Sequence, residues 1–409
     1  MFKKLRSIAN EYPRAFWILI GGTFIDNLGR FFLFPFFALY VTNHFGVGMT
    51  EVGFLFMLLS IGHLVGGPIG GALTDKFGRK SMLLFGLLAS GMSSLLMGLI
   101  DDLTLFYAVA GLMGLLANAG GPAQQAMVAD LLPEEKRAEG FGMLRVTINL
   151  SAVIGPGIGG FLASQNYFYL FVSDAILSTI TAIIVFVFIP ETKPESVKGQ
   201  KEQTIGQTIL GYRYVLKDIL FMGFLMAMML MELAYLQLNS TLSVYLRDRH
   251  GFADYKFGWL LSLNALMVVV FQFWVTRRIS KYPPMFMMAI GTVLYCIGFV
   301  MYGFVSVEFL FFLAMVILTV GEIIIAPFGH ALAAQFAPED KRGRYMAVMG
   351  FTWTIPSLFG VLAAGYIMDN LWPQLVWYIA GLLCIMSSMG YLLLHKAIQR
   401  RFRKTTVDE

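Results

Sequence analysis

Hydrophobic residues along the chain form long uninterrupted runs rather than short alternating segments. A helix needs roughly 20 mostly apolar residues to cross a bilayer, and lipid forces the backbone to satisfy its polar groups within helices or closed barrels. Runs of this length lie at 15–43, 51–73, 81–100, 104–129, 141–164, 168–189, 219–246, 256–278, 284–304, 308–333, 345–368 and 374–395. We therefore predict an all-α membrane protein with twelve transmembrane helices.

One long polar interruption divides these spans into two groups of six. We expect an N-terminal six-helix half at 1–189, a cytoplasmic linker at 190–217, a C-terminal six-helix half at 218–396 and a cytoplasmic basic tail at 397–409. A single offset of 205 residues superimposes the halves, carrying Pro133 onto Pro338 and Gly160 onto Gly365. Two pseudo-symmetric halves with a site between them at the midplane are typical of secondary transporters.

Composition and charge narrow the class of protein. Hydrophobic residues make up 57% of the chain and charged residues 13%, which excludes a water-soluble protein. The net charge of +5 reflects topology rather than nucleic-acid binding, because 25 of the 30 Lys and Arg fall on the side of the two termini. This bias predicts a multi-pass plasma membrane protein, of the bacterial inner membrane type, with both termini in the cytoplasm. Cys296 and Cys384 lie in apolar runs, so we expect no disulfide framework and no metal site.

The turn after the second span carries the sequence GALTDKFGRKSML at 71–83. It resembles the loop motif of the major facilitator superfamily at every signature position, here Gly71, Asp75, Gly78, Arg79 and Lys80. A plain cytoplasmic turn would explain the glycines and basic residues but not the acid at this spacing. The resemblance implies the major facilitator fold, with this segment as a cytoplasmic gate that makes no substrate contact.

The fifth span carries a second motif, formed by Gly155, Pro156, Gly159 and Gly160. It is similar to the antiporter motif of the superfamily's drug/proton exchangers, but a hinge and packing role explains it equally well, because Pro and Gly permit kinks and close helix contacts. Drug exporters of the family carry an Arg in the fourth span four residues before a Gly, where this chain has Ala110. Arg145, with Asn149 one turn later, is the candidate replacement.

Charged residues within the spans are the strongest candidates for function, because each costs about 2.5–3.5 kcal/mol at the bilayer centre. We predict proton coupling by Glu322, Glu232 and Asp26, with Glu322 as the leading site. Asp26 and Arg30 also stand four residues apart and could neutralise each other as an ion pair. Asp174 lies near the outer end of the sixth span, where we expect it to be solvated.

Polar residues on the same spans predict a substrate cavity. We assign to it Asn27, Arg30, Asn118, Gln125, Arg145, Asn149, Tyr235 and Asn239. Tyr235, Asn239 and Ser243 follow Glu232 at i+3, i+7 and i+11, and we expect them to form one polar stripe with it that lines the cavity.

These features predict a proton-coupled antiporter that exports amphipathic or cationic small molecules by alternating access. The proton gradient would supply the energy without a cofactor, and the partners would be a small-molecule substrate, protons and the lipid bilayer, with the chain as a monomer. An exporter, flippase or proton symporter for a specific metabolite, lipid or organic anion is the alternative, since Arg30 and Arg145 would suit an anion. An enzyme is not expected, because the chain has no HExxH, GxSxG or P-loop motif.

Overall fold

The computed structural model describes residues 11–117, 119–193, 213–338 and 341–408. Within these ranges the chain is helical, and twelve helices are long and apolar enough to cross a membrane. They are α1 (Arg14–Phe45), α2 (Met49–Phe77), α3 (Arg79–Leu99), α4 (Leu103–Leu131), α5 (Glu134–Gln165), α6 (Phe168–Phe188), α7 (Ile219–Asn239), α8 (Asp254–Ile279), α9 (Pro284–Phe304), α10 (Glu308–Phe336), α11 (Arg344–Asn370) and α12 (Leu375–Arg401). The predicted all-α membrane fold is confirmed.

Two of these helices contain a 3₁₀ turn within the span. In α1, a 3₁₀ turn at Phe34–Phe36 separates the α-helical segments Arg14–Leu33 and Phe37–Phe45. Pro35 lies in this turn, and proline has no backbone N–H to continue the α-helical ladder. In α7, the α-helix ends at Tyr235 and a 3₁₀ turn follows at Leu236–Asn239. Hydropathy predicts both spans as single runs, because it registers apolar character and not local winding.

The chain forms two compact units. Unit 1 comprises Met1–Val47, Phe54–Lys198 and Leu246–Ala265, and unit 2 comprises Gly48–Gly53, Gly199–Tyr245 and Leu266–Glu409. Unit 1 therefore holds α1, α3 to α6, most of α2 and the first half of α8. Unit 2 holds α7, α9 to α12, the first residues of α2 and the rest of α8.

The same packing scheme occurs in both units. In unit 1, α1 packs on α5 and α6, while α3 packs on α4 and α6. In unit 2, α7 packs on α11 and α12, while α9 packs on α10 and α12. Adding six to the helix numbers of each packed pair in unit 1 gives a packed pair in unit 2. The 205-residue offset between the halves indicates the same relationship.

Glycines allow backbone contacts between helices at positions that the offset relates. In unit 1, a Cβ atom on Gly258 of α8 would lie 2.2 Å from the carbonyl oxygen of Pro156 in α5. In unit 2, a Cβ atom on Gly53 of α2 would lie 2.3 Å from Cα of Leu362 in α11. Gly53 and Gly258 differ by 205 in number. The repeat therefore includes the contacts of these glycines as well as their positions in the sequence.

Asp369, at the end of α11, caps the first turn of α2 within unit 2. Its Oδ1 accepts a hydrogen bond from the backbone N–H of Met49 at 2.9 Å, and its Oδ2 accepts from the backbone N–H of Thr50 at 2.7 Å. The Thr50 hydroxyl donates to the same Oδ2 at 2.6 Å. A carboxylate at a helix N-terminus satisfies free backbone donors and interacts favourably with the helix dipole. Sequence reasoning missed this residue, because the helix it caps lies some 320 positions away.

Candidate functional site

Two carboxylates of unit 2, on α7 and α10, interact with each other. The hydroxyl of Tyr235 donates a hydrogen bond to Oε1 of Glu322 at 3.0 Å. One turn before Tyr235 on α7 lies Glu232, whose charge interacts with that of Glu322. Oε2 of Glu232 is buried and has no hydrogen-bond partner. The structure therefore brings Glu232, Tyr235 and Glu322, all identified from sequence, into one site.

Aromatic rings and a close helix contact build the wall of this site. The ring of Tyr235 stacks on that of Tyr295 in α9, with centroids 5.9 Å apart and planes 14° apart. Tyr295 in turn meets the edge of Phe299 at 5.9 Å. A Cβ atom on Gly321 would lie 2.5 Å from the carbonyl oxygen of Gly291, so α9 and α10 approach closely just before Glu322. Tyr295 and Phe299 are buried, so the acids lie beside a packed aromatic cluster.

The expected polar stripe on the seventh span is wrong beyond Tyr235. The α-helix ends there, so Asn239 and Ser243 do not continue the angular spacing of Glu232 and Tyr235. Ser243 is buried and donates to the carbonyl of Ser240. Gln237 donates to the carbonyl of Gly360 in α11 at 3.3 Å. Ser243 thus bonds a carbonyl next to the turn, whereas Gln237 ties the turn to α11.

Unit 1 has an acidic site of its own around Asp26. Arg30 lies 3.7 Å from Oδ2 of Asp26, which confirms the expected pair on neighbouring turns of α1. Both residues line a cavity of about 100 Å³ that Thr23, Ser90 and Gln124 also line. Gln124 donates to the Thr23 hydroxyl at 2.6 Å. Gln124, rather than the predicted Gln125, is therefore the amide of α4 that faces this cavity.

The expectation that Asp174 is solvated is wrong. Its side chain is buried at 5% exposure, because α6 packs there against α1 and α3. The hydroxyl of Ser94 in α3 donates to its carboxylate. Position near the end of an apolar run does not reveal burial, which depends on the neighbouring helices. Ser94 and Asp174 are 80 positions apart, so no local signal links them.

The other predicted cavity residues lie in varied surroundings. Asn27 is buried, and its amide donates to the carbonyl of Thr23 on the same helix at 2.9 Å. Gln125 and Arg145 are exposed on unit 1, and Asn149 is partly buried. Asn239 is partly buried in the 3₁₀ turn of α7. Asn118 lies outside the described residues. A role for these residues in substrate binding stays a prediction.

The loop motif forms a network of charges at the junction of α2 and α3. Arg79 lies 3.4 Å from Asp75 and donates from Nε to Asp130 of α4 at 3.2 Å. Lys80 donates to the carbonyl of Phe186 in α6 at 2.7 Å. Gly71 has open space around its Cα, so packing does not require glycine there. The motif therefore ties together the ends of α2, α3, α4 and α6.

Glu191, which sequence reasoning did not select, caps α3. Gly78 has φ of +100°, a conformation that favours glycine, and a Cβ atom there would lie 2.4 Å from Oε2 of Glu191. Partial burial acts to raise the pKa of Glu191, but backbone N–H groups of Lys193, Arg79, Lys80 and Thr192 outweigh it and hold the pKa below its usual value. The carboxylate thus fixes the turn on which the motif depends.

The glycines of the second motif are packing positions. Cβ atoms would lie 2.4 Å from Phe31 Cβ at Gly155 and 2.5 Å from the Phe32 carbonyl oxygen at Gly159, so both glycines face α1. Gly160 faces α8, where a Cβ atom would lie 2.9 Å from the carbonyl oxygen of Asp254. These contacts support the packing interpretation, whereas the antiporter interpretation stays a prediction.

Comparisons with known proteins bear on the class of this chain. The family model of the Major Facilitator Superfamily matches residues 19–286 and 238–407. A Na(+), Li(+), K(+)/H(+) antiporter of Planococcus maritimus is 28% identical, over 96% of this chain and 98% of that protein. The multidrug resistance protein MdtH of Salmonella paratyphi B is 23% identical, over 92% of this chain and 94% of that protein.

Solved structures show the same fold. The nucleoside transporter NupG superimposes with a TM-score of 0.78 at 14% identity, covering 93% of this chain and 99% of NupG. A POT family transporter in complex with 5-aminolevulinic acid superimposes with a TM-score of 0.77 at 17% identity, covering 94% of this chain and 97% of that one. These relatives are transporters and not enzymes, and the family match spans the chain. The chain is an integral membrane transporter that belongs to the Major Facilitator Superfamily.

Proposed function

We propose that the protein is a proton-coupled antiporter that exchanges protons for lipophilic organic cations at Glu232 and Glu322. The observation that carries the proposal is the meeting of these acids beside Tyr235, with Oε2 of Glu232 buried and without a hydrogen-bond partner. Such a carboxylate gains stability from a proton or from a bound cation, so the two ligands compete for it. The ring of Tyr235, partly buried and backed by the buried ring of Tyr295, would offer an aromatic contact to an organic cation.

Competition for one site is sufficient for antiport. A protein that carries either protons or substrate across the membrane, and changes state only when one of them is bound, couples the two fluxes. Each unit of pH difference supplies about 1.4 kcal/mol per proton, which can sustain a tenfold substrate gradient in an electroneutral one-for-one exchange. The name of the MdtH relative, a multidrug resistance protein, agrees with a substrate of this class.

A second candidate substrate is an alkali metal cation. It is favoured by the relative named as a Na(+), Li(+), K(+)/H(+) antiporter, which matches nearly the whole chain. The pair Glu232 and Glu322 supplies carboxylate oxygens that an alkali cation could also use. The ring of Tyr235 beside Glu322 favours an organic cation over a hydrated ion, since a ring face attracts a cation that carries little bound water.

Transport by purified protein in liposomes tests the proposal. With the membrane potential clamped by equal K⁺ and valinomycin, an acidic lumen should drive accumulation of ethidium, which is followed by fluorescence. We expect Glu232→Gln and Glu322→Gln to abolish the dependence on the pH gradient. Glu308→Gln, at the first residue of α10, is the matched control and should transport as the wild type does.

The outcomes separate the candidates. Ethidium accumulation that depends equally on the pH gradient in both glutamine variants would overturn the assignment of the site. If ethidium does not move, but Na⁺, Li⁺ or K⁺ added without valinomycin releases protons from acid-loaded liposomes, the alkali cation is the substrate. Competition by an organic anion instead of a cation would favour the alternative of an anion transporter.

A further inference from the structure

Pro327 interrupts the backbone hydrogen bonds of α10 just after Glu322. It lies inside this helix, and a proline has no backbone N–H to donate to the carbonyl four residues earlier. That carbonyl belongs to Ile323, the residue next to Glu322, and Ile323 is buried at 2% exposure. A buried carbonyl without a donor is costly within a membrane, so a neighbouring helix has to supply one.

The donor is the side-chain amide of Gln272 in α8. Its Nε2 donates a hydrogen bond to the carbonyl of Ile323 at 3.0 Å. The same nitrogen donates to the hydroxyl oxygen of Thr276, one turn later on α8, at 2.9 Å. An amide nitrogen carries two protons, so both bonds form at once, and Thr276 orients the amide. Gln272 therefore replaces the backbone donor that Pro327 lacks.

The internal repeat indicates that this bond is particular to unit 2. The offset of 205 carries Pro122 of α4 onto Pro327, but it carries Gly67 of α2 onto Gln272. Glycine has no side chain that could donate a hydrogen bond. The proline is thus common to both halves, whereas the amide donor belongs to the half that contains Glu322.

The amide bond lies next to the contact between Glu322 and Tyr235, whose hydroxyl donates to Oε1 of Glu322 at 3.0 Å. One residue before Glu322, a Cβ atom on Gly321 would lie 2.5 Å from the carbonyl oxygen of Gly291, so α10 lies directly against α9. One residue after Glu322, the backbone carbonyl is held by Gln272 of α8. The backbone that carries this acid is therefore fixed on both sides.

We propose that Gln272 is a positioning residue for Glu322, because its amide holds the proline-containing turn of α10 in the form that brings the carboxylate to Tyr235. Without the amide, the carbonyl of Ile323 lacks a donor and the turn rearranges to find another. Glu322 then moves with the backbone, and its hydrogen bond from Tyr235 weakens. This inference rests on the proposed function in so far as Glu322 is an exchange site, and it adds the residue of α8 that places this acid.

Infrared spectroscopy of the purified protein tests the positioning role without requiring transport. The C=O stretching band of protonated Glu322 is recorded at acidic pH and identified by its absence in Glu322→Gln. The frequency rises when the carbonyl loses a hydrogen bond, and Tyr235→Phe gives the frequency for complete loss. Gln272→Met keeps the length of the side chain but removes the donor. The band should therefore move in the same direction as in Tyr235→Phe, by a smaller amount.

Pro327→Ala restores the missing backbone N–H and so reveals how Gln272 acts. In this background the carbonyl of Ile323 has a backbone donor again, so Gln272→Met should cause no further shift of the band. Pro356→Ala is the matched control, because Pro356 lies inside α11 of the same unit, and in that background Gln272→Met should shift the band as in the wild type. An unshifted band in Gln272→Met, an equal shift in the Pro327→Ala background, or no shift in the Pro356→Ala background would overturn the proposal.

If Gln272→Met does not fold, Thr276→Val decides. It removes the acceptor that orients the amide, so the band should again move toward that of Tyr235→Phe, and an unchanged band would refute the positioning role. In liposomes, Gln272→Met should raise the ethidium concentration for half-maximal transport about three- to tenfold, the factor that one weakened hydrogen bond gives. A shifted band in a protein that moves no ethidium would retain the positioning role and reject the proposed transport, whereas an unshifted band with normal transport would do the reverse.

Discussion

A single methyl group at Gly258 should separate two packed helices of unit 1. In Gly258→Ala the new Cβ would lie 2.2 Å from the carbonyl oxygen of Pro156 and 3.2 Å from Cα of Gly160. Both neighbours are backbone, so no side-chain rotation relieves the collision. Ordinary contact begins at 3.4 Å, and the difference between 3.4 and 2.2 Å requires α5 and α8 to move about 1.2 Å apart.

The magnitude follows from two opposing effects. Overpacking typically costs about 1–3 kcal/mol. Because α5 and α8 must separate by more than about 1 Å, they lose much of the dispersion energy along their contact, so the cost lies at the upper end of this range. Alanine in a helix interior returns about 1 kcal/mol relative to glycine. We therefore expect Gly258→Ala to lower the free energy of unfolding by about 2 kcal/mol.

Thermal unfolding in detergent, followed by tryptophan fluorescence, measures the effect. Gly111→Ala is the control, because Gly111 lies within a helical segment of α4 and a Cβ atom there meets nothing within 4 Å. It should raise the stability slightly through helix propensity alone. If the two variants shift the melting temperature in the same direction and by similar amounts, the close contact between α5 and α8 does not carry the stability assigned to it.

Three further predictions concern other contacts. Asp369→Ala should lower the unfolding free energy by about 0.5–2 kcal/mol through loss of the cap on α2, whereas Asn370→Ala should have little effect in the same melting assay. Burial acts to raise the pKa of Asp218, but hydrogen bonds from Arg401 and other donors hold it below its usual value. The resulting stability is present above the unfolded pKa of about 3.9 and lost below it, so the melting temperature between pH 5 and pH 3 should fall more in the wild type than in Asp218→Asn. Glu232→Leu should raise the melting temperature while abolishing pH-driven ethidium transport. The buried acceptor atom of Glu232 has no hydrogen-bond partner, and leaving it so costs about 1–3 kcal/mol, which the leucine removes. An unchanged or lower melting temperature would contradict this.

The spans could be predicted from sequence because lipid imposes a simple requirement on composition. Each crossing needs an apolar helix of known length, and the twelve predicted runs correspond to the twelve helices. The 3₁₀ turns at Phe34–Phe36 and Leu236–Asn239 could not be predicted in this way, since they replace one helical geometry by another within an equally apolar run. The stripe expected beyond Tyr235 failed for this reason.

The acids could be found from sequence, but their partners could not. Glu232, Glu322 and Asp26 are conspicuous because charge is costly within a span. The hydrogen bond from Tyr235 to Glu322 joins residues 87 positions apart on different helices, and only the packing of α7 near α10 brings them together. Asp174 was misjudged because its burial depends on α1 and α3, neither of which adjoins it in sequence.

The internal repeat includes glycines that pack the helices but does not include the acids of unit 2. The offset of 205 carries Gly53 onto Gly258 and Gly160 onto Gly365, and all four lie in close backbone contacts. The same offset carries Asn27 onto Glu232 and Ala117 onto Glu322, so the acids of unit 2 have no acidic counterpart in unit 1. A residue that both halves share is explained by packing that both halves need. Glu232 and Glu322 break the repeat at a cost in stability, and packing that both halves need does not explain them.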